Sequence, residues 1–269
     1  MDQDQHIAVI GAGIMGHGIA QVGAMAGLFV TLMDNSDAAL DRATEQIQTS
    51  LAKLASKGRL DSTPQEICGR IRRTGRLAEA VKSADFVIEA VPEIVELKRS
   101  IFVELDRLAP AHALLATNTS QYSITELASV TGRPAQVVGM HWFSPAVLMK
   151  LVEVVRGLET ADATVERTTG LARRLDKEPI VCTKDSPGFI TTRLIAVLTN
   201  EAQRIVEEGL ASVDDVDRAC RLAFGHPMGP FQTADLTGLD TQLRVRQALS
   251  ESLGERFRPT NLLRTLVAA

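Results

Sequence analysis

Short apolar runs alternate with longer stretches of helical periodicity through the first two thirds of the chain. HIAVI, LFVTLMD, ADFVIEAV, ALLATNT, QVVGMHW, KLVEVV and EPIVCT read as strands, with a further strand near Ile71. Strands alternating with helices predict a twisted, mostly parallel sheet covered by helices on both faces, an α/β fold. One connection is unusually long. Between Asp34 and Ile71, AALDRATEQIQTSLAKLASKGRLDSTPQEICGRI carries apolar residues at helical spacing, broken at Gly58 and Arg59. It predicts a projecting helical hairpin near residues 36–70. From Asp185 the character changes. KDSPGFITTRLIAVLTNEAQRIVEEG opens on a Pro-Gly turn and runs as one amphipathic helix to a stop at Gly209. Two further helices are signalled, one after Ser212 and one after Met228-Gly229-Pro230, and no strand pattern follows Thr183. The expected division is an α/β domain over residues 1–185 and a smaller all-α domain over residues 186–269.

The first strand leads into GAGIMG, which carries chemistry as well as structure. Gly11 allows a tight turn, Gly13 lets the backbone approach a pyrophosphate, and Gly16 lets the new helix pack on the strand. Backbone N–H groups at that helix start, around Ile14 and Met15, favour a bound phosphate. By itself this glycine spacing marks a plain turn as readily as a dinucleotide site. The second strand ends in Asp34, about twenty residues beyond the turn, where a carboxylate accepts the hydroxyls of an adenosine ribose. The other reading of Asp34 is a solvated loop acid. An acid here repels a 2′-phosphate, and no Arg or Lys occurs between Asn35 and Asp41, so NAD is expected rather than NADP.

Composition narrows the partners. With 269 residues, 45% of them hydrophobic, the chain has enough apolar material for one large core or two modest ones. A net charge of −4 with interspersed signs gives no reason to expect nucleic acid or an anionic membrane as partner. No apolar stretch approaches the ~20 residues that span a bilayer. The opening MDQDQH carries acids and resembles neither a signal nor a transit peptide. Cys68, Cys182 and Cys220 show no ligand spacing, so no metal is expected. They read as thiols of a reducing compartment, and the expected location is cytoplasmic. A helical domain this small is expected to pack against a second copy, although packing on its own first domain is the alternative.

His141 ends the apolar strand QVVGM, and Glu153 lies in the next strand. At the carboxyl end of a parallel strand a side chain faces the crevice where a dinucleotide binds. A neutral histidine there can take a proton from an alcohol, and a nearby carboxylate fixes its tautomer. Taken alone, His141 equally suits a satisfied core histidine and Glu153 an edge charge. The motifs GAGIMGHGIA, VIEAVPE, ATNTS, GMHWFSP, MKLVEVV, DSPGF and FGHPMGPF…DLTGLD then settle on a pattern. Over nearly its whole length the chain resembles the short-chain L-3-hydroxyacyl-CoA dehydrogenases, closest in style to bacterial 3-hydroxybutyryl-CoA dehydrogenases.

That resemblance implies an N-terminal Rossmann-type NAD-binding domain, a helical domain for substrate and dimerisation, and a set of roles. Ser120 corresponds to the serine that bonds the substrate's C3 oxygen near the nicotinamide, His141 to the acid/base and Glu153 to its orienting partner. Glu93 and Lys98 match cofactor contacts, and Asn118 lies in the loop flanking the nicotinamide. Lys53 and Lys57 match positions that meet coenzyme A phosphates, though surface lysines on a helix need no special explanation. Three departures stand out. Thr192 replaces an asparagine expected to hold the substrate's thioester end. Ser144 replaces another asparagine, expected to touch the cofactor. The chain stops at LLRTLVAA, without the glycine-rich basic tail that can add a lysine to the cofactor site. A hydroxyl keeps hydrogen bonding but shortens reach and removes the paired donor and acceptor. Asn200, two turns beyond Thr192, is a candidate to supply a lost amide contact.

The expected activity is reversible NAD-dependent oxidation of an L-3-hydroxyacyl-CoA, of short chain length, to the 3-oxoacyl-CoA. The rivals are a same-fold enzyme for another 3-hydroxy acid (3-hydroxyadipyl-CoA, a carrier-protein thioester or L-gulonate) and a non-enzymatic NAD-binding structural or sensor protein. Ser120, His141 and Glu153 together speak against the last, because a sensor needs no base.

Overall fold

A computed structural model describes residues 6–269; the acidic lead-in before His6 lies outside the described residues. The chain divides into two compact units, one ending at Asp185 and the other spanning Ser186–Ala269.

The first unit is built on an eight-stranded sheet: β1 (His6–Ile10), β2 (Phe29–Met33), β3 (Ile71–Thr74), β4 (Phe86–Glu89), β5 (Leu114–Thr117), β6 (Val137–Trp142), β7 (Leu151–Val155) and β8 (Glu178–Cys182). The order is β3-β2-β1-β4-β5-β6-β7-β8. Pairing is parallel from β3 through β6, β7 turns antiparallel to β6, and β8 runs parallel to β7. This is the α/β architecture that the strand pattern predicts. The central strands are apolar at successive positions because both sheet faces are covered. In β1, Ile7, Ala8, Val9 and Ile10 are all buried.

The helices of this unit are α1 (Ile14–Met25), α2 (Asp37–Ala55), α3 (Pro64–Gly69), α4 (Leu77–Val81), α5 (Val95–Leu108), α6 (Ile124–Ala128) and α7 (Asp162–Arg174). The long connection after β2 forms α2, a turn and the short α3. Ser36 caps α2 by accepting from the Ala39 N–H, Leu40, Ala43, Ile47 and Leu51 bury its apolar stripe, and Thr63 with Glu66 forms a capping box on α3. The break falls at Gly58, whose φ of +63° suits glycine.

The second unit contains α8 (Thr191–Glu207), α9 (Val213–Phe224), α10 (Pro230–Thr237), α11 (Leu239–Leu253) and α12 (Asn261–Ala268). Its periodicity predicts two helices after α8, and the structure has four. The segment after Pro230 is cut at Gly238 (φ +84°) and again at Gly254 (φ +93°), each outside the helical region. Apolar period alone does not resolve such glycine breaks. Ser212 caps α9 by accepting from the Asp215 N–H, and Ala196, Leu249 and Phe257 form a small core.

Candidate active site

The strand order reverses between β1 and β4, where helices leave the sheet in opposite directions and a crevice opens beyond the strand ends. There the first unit has a cleft of about 780 Å³. Its lining includes Gly11, Gly13, Ile14 and Met15 after β1, Asp34 after β2, Glu93 after β4, Lys98 on α5, Asn118 and Ser120 after β5, and His141 in β6. Residues from five strand ends, spread over more than 130 positions of sequence, thus meet around one cavity.

The glycine turn is shaped by close approach. Gly11 has φ +102°, and a Cβ there would lie 2.7 Å from the Ala90 carbonyl oxygen. A Cβ on Gly16 would lie 1.7 Å from the Gly11 carbonyl oxygen, so no side chain fits. At Gly13 a Cβ meets nothing within 4 Å; the space above it belongs to the cleft. Gly13 is the N-cap of helix α1, which has no side-chain cap and no acid in its first turn. Its first N–H groups and the positive end of its dipole are therefore available to a phosphate. Asp34 braces the turn: one carboxylate oxygen accepts from the Ala12 N–H at 2.8 Å, the other from the Ser36 N–H at 3.0 Å. These residues fit a dinucleotide with an unphosphorylated ribose.

His141 and Glu153 are direct cross-strand partners in the antiparallel β6–β7 pair, so the sheet register itself sets them side by side. Nδ1 of His141 lies 2.6 Å from Oε2 of Glu153. Glu153 is fully buried and His141 nearly so. A carboxylate can only accept at this contact, so Nδ1 carries the proton and Nε2 is left as the group with acid/base capacity. The Phe143 ring packs against the imidazole with centroids 4.6 Å apart. Asn118 ties the next loop to the same place, its Oδ1 accepting from the Trp142 N–H at 2.9 Å.

Ser120 is held through its backbone. Its N–H donates to Glu93 at 2.9 Å, and the Thr119 hydroxyl donates to the other oxygen of Glu93 at 3.0 Å. Glu93 is 3.6 Å from the ammonium of Lys98, which is itself 2.8 Å from Glu89. Glu89 is a functional candidate that the sequence reading passes over as part of the strand ADFVIEAV. The available signal was an acid inside an otherwise apolar run, which demands a buried partner.

Lys53 and Lys57 do not line this cleft. They line a second cavity of about 580 Å³ with Arg59, His17 and Ser144. Ile14 borders both cavities, so they adjoin at the start of α1. The sequence reading passes over Arg59 and His17, whose only signal is charge near the hairpin turn and the glycine motif. Ser144 faces the lysine cavity and not the glycine cleft. Thr192 is the second residue of α8, half-buried in the helical unit. Asn200 is buried in the same unit, and its amide donates to the Arg258 carbonyl at 2.8 Å. That bond gives Asn200 a structural task where α8 meets the segment before α12.

Residues 6–186 match the family described as 3-hydroxyacyl-CoA dehydrogenase, NAD binding domain, and residues 188–269 match 3-hydroxyacyl-CoA dehydrogenase, C-terminal domain. A probable 3-hydroxybutyryl-CoA dehydrogenase of Deinococcus radiodurans is 43% identical over 262 residues, 97% of this chain and 94% of the relative. One of the same description from Bacillus subtilis is 41% identical, covering 98% of this chain and 92% of the relative. The crystal structure of (S)-3-hydroxybutyryl-CoA dehydrogenase from Ralstonia eutropha matches with a TM-score of 0.94 at 38% identity, covering 99% of this chain and 94% of that one.

Proposed function

The chain belongs to the 3-hydroxyacyl-CoA dehydrogenase family, and from that premise we propose that His141, Glu153 and Ser120 carry out the NAD-dependent interconversion of a short-chain L-3-hydroxyacyl-CoA and its 3-oxoacyl-CoA. The observation that carries the assignment of roles is the His141–Glu153 pair at 2.6 Å opening onto the cleft that also holds the glycine turn. NAD held in this cleft would supply the hydride acceptor for C3. Nε2 of His141 takes the C3 hydroxyl proton, and Glu153 stabilises the imidazolium that results. The Ser120 hydroxyl positions the same oxygen. In reduction of the ketone His141 returns the proton.

Gly11, Gly13, Ile14, Met15 and Gly16 receive the pyrophosphate, Asp34 the adenosine ribose, and Glu93, Lys98 and Asn118 the nicotinamide half. Lys53 and Lys57 meet the coenzyme A phosphates, with Arg59 and His17 on the same cavity adding to its basic character. Thr192 contributes the substrate contact of the helical unit on the strength of its family position. Ser144, bordering the lysine cavity, is better suited to the coenzyme A side than to the cofactor.

The protein acts as a homodimer through the helical unit, where Leu194, Val197, Leu222 and Phe224 are exposed apolar residues. A cytoplasmic setting belongs to the same reading, since Cys68, Cys182 and Cys220 form no disulfide. No described helix is long and apolar enough to cross a membrane.

Thr192 and Ser144, hydroxyls where the resemblance leads to an expected amide, favour a second reading in which the same chemistry serves another 3-hydroxy acid. One assay separates the two. NADH absorbance is followed with acetoacetyl-CoA, longer and dicarboxylic 3-oxoacyl-CoAs, and with L-gulonate plus NAD. Acetoacetyl-CoA is expected to give the highest kcat/KM. Turnover of L-gulonate alone overturns the coenzyme A reading.

A further inference from the structure

Behind the cleft, three charged side chains form a line that ends at Ser120. Glu89, the last residue of β4, is fully buried, as is Lys98 on α5. The Glu89 carboxylate accepts from the Lys98 ammonium at 2.8 Å, from the Thr117 hydroxyl at 2.6 Å and from the Val91 N–H at 2.8 Å. The ammonium also reaches the Val91 carbonyl at 3.3 Å and Glu93 at 3.6 Å. Glu93 in turn holds the Ser120 N–H and the Thr119 hydroxyl. The group contains one more carboxylate than ammonium, and most of it is removed from solvent, where a charge is felt strongly. The second acid, Glu93, is part-exposed and lines the cleft, so its charge is felt there. Here Lys98 compensates one carboxylate of the two.

We propose that Glu89 is a positioning residue that gives the nicotinamide end of the cleft a net negative charge, so that the site favours the oxidised, cationic form of the cofactor over NADH. Glu89 does not line the cleft. It acts by drawing the Lys98 ammonium to itself at 2.8 Å, so that Glu93, at the longer distance of 3.6 Å, keeps part of its charge beside Ser120. Without the Glu89 charge, Lys98 neutralises Glu93 and the preference for the cation is lost. The proposal rests on the placement of NAD in this cleft.

The test is the affinity of both cofactor forms, measured without turnover by NADH fluorescence and by NAD displacement of NADH. Glu89→Gln, close in shape, is expected to raise the ratio of the NAD to NADH dissociation constants on the order of ten-fold, the size of one charge acting through a partly polar interior. Glu89→Asp, which keeps the charge, should restore most of the ratio. Thr117→Val removes a bond to the same carboxylate without altering charge and should leave the ratio unchanged. A purely structural role for Glu89 predicts equal weakening of both forms, and that result overturns the proposal. Should Glu89→Gln fail to fold, Glu93→Gln removes the same charge at the half-exposed end and must shift the ratio in the same direction; no shift there overturns it equally. Absence of NADH binding by the unaltered chain would instead refute the cofactor placement on which it rests.

Discussion

A neutral imidazole in water has no preference between its two nitrogens strong enough to hold one of them ready for a substrate. His141 acquires that preference from Glu153, buried and 2.6 Å from Nδ1. His141→Gln keeps an amide in place but removes the proton acceptor. Turnover should fall by roughly 10² to 10⁴, the usual size of general acid/base effects, while NADH fluorescence titration shows affinity largely kept. Near-unaltered kcat in that variant would remove His141 from the chemistry. At this scale the long motifs singled out Ser120, His141 and Asp34, and the structure brings all three to one cleft. Glu89 was not legible in this way, because its meaning depends on Lys98, a residue of the next helix, reaching back to it.

Elements determine where these side chains can go. The turn between β6 and β7 carries Ser144, and it is held from beneath by Lys177, which precedes β8. The buried ammonium of Lys177 donates to the carbonyls of Ala146 at 2.7 Å and Met149 at 2.9 Å and lies over the Trp142 ring. Burial, with the nearby Lys150, pushes its pKa below the ordinary lysine value of 10.5. The folded chain therefore binds this proton less tightly than the unfolded chain. Between the lowered value and 10.5 the unfolded state holds more protons, so this group's contribution to stability rises as pH rises through that window. Lys177→Met leaves two carbonyls without a partner and should cost about 1–3 kcal/mol at neutral pH. Urea unfolding at a series of pH values should show the unaltered chain gaining on the variant as pH climbs toward 10.5; a gap that narrows contradicts the sign. Helix and strand types were readable from local period. The breaks at Gly238 and Gly254 were not, since a glycine inside an apolar pattern is compatible with both a continued helix and a left-handed stop.

For the whole molecule, the question is what covers the apolar residues of the helical unit. Leu194 is 68% exposed and Leu222 75%. Such residues in an 84-residue stretch with a small core are expected to be covered by a second copy. Light scattering at micromolar concentration should give twice the mass of 29.0 kDa. Leu194→Asp should shift the distribution toward the single chain, and a monomer in the unaltered protein rules the dimer out.

Local pattern decided much about this protein, because strand period, helix period, glycine turns and capping residues act over a few positions. HIAVIGAGIMG reads locally as a strand, a turn and an uncapped helix start, and the acid at Asp34 follows the end of the next strand by the same local rules. Tertiary structure alone decided which charges share a burial site and which cavity each residue faces. The Glu89–Lys98–Glu93 line depends on β4, α5 and the loop after β5 packing together, and the assignment of Ser144 to the lysine cavity depends on the path of the β6–β7 turn. Electrostatic pairing acts through space between segments that the chain brings together only on folding, so it leaves no periodic trace in the sequence.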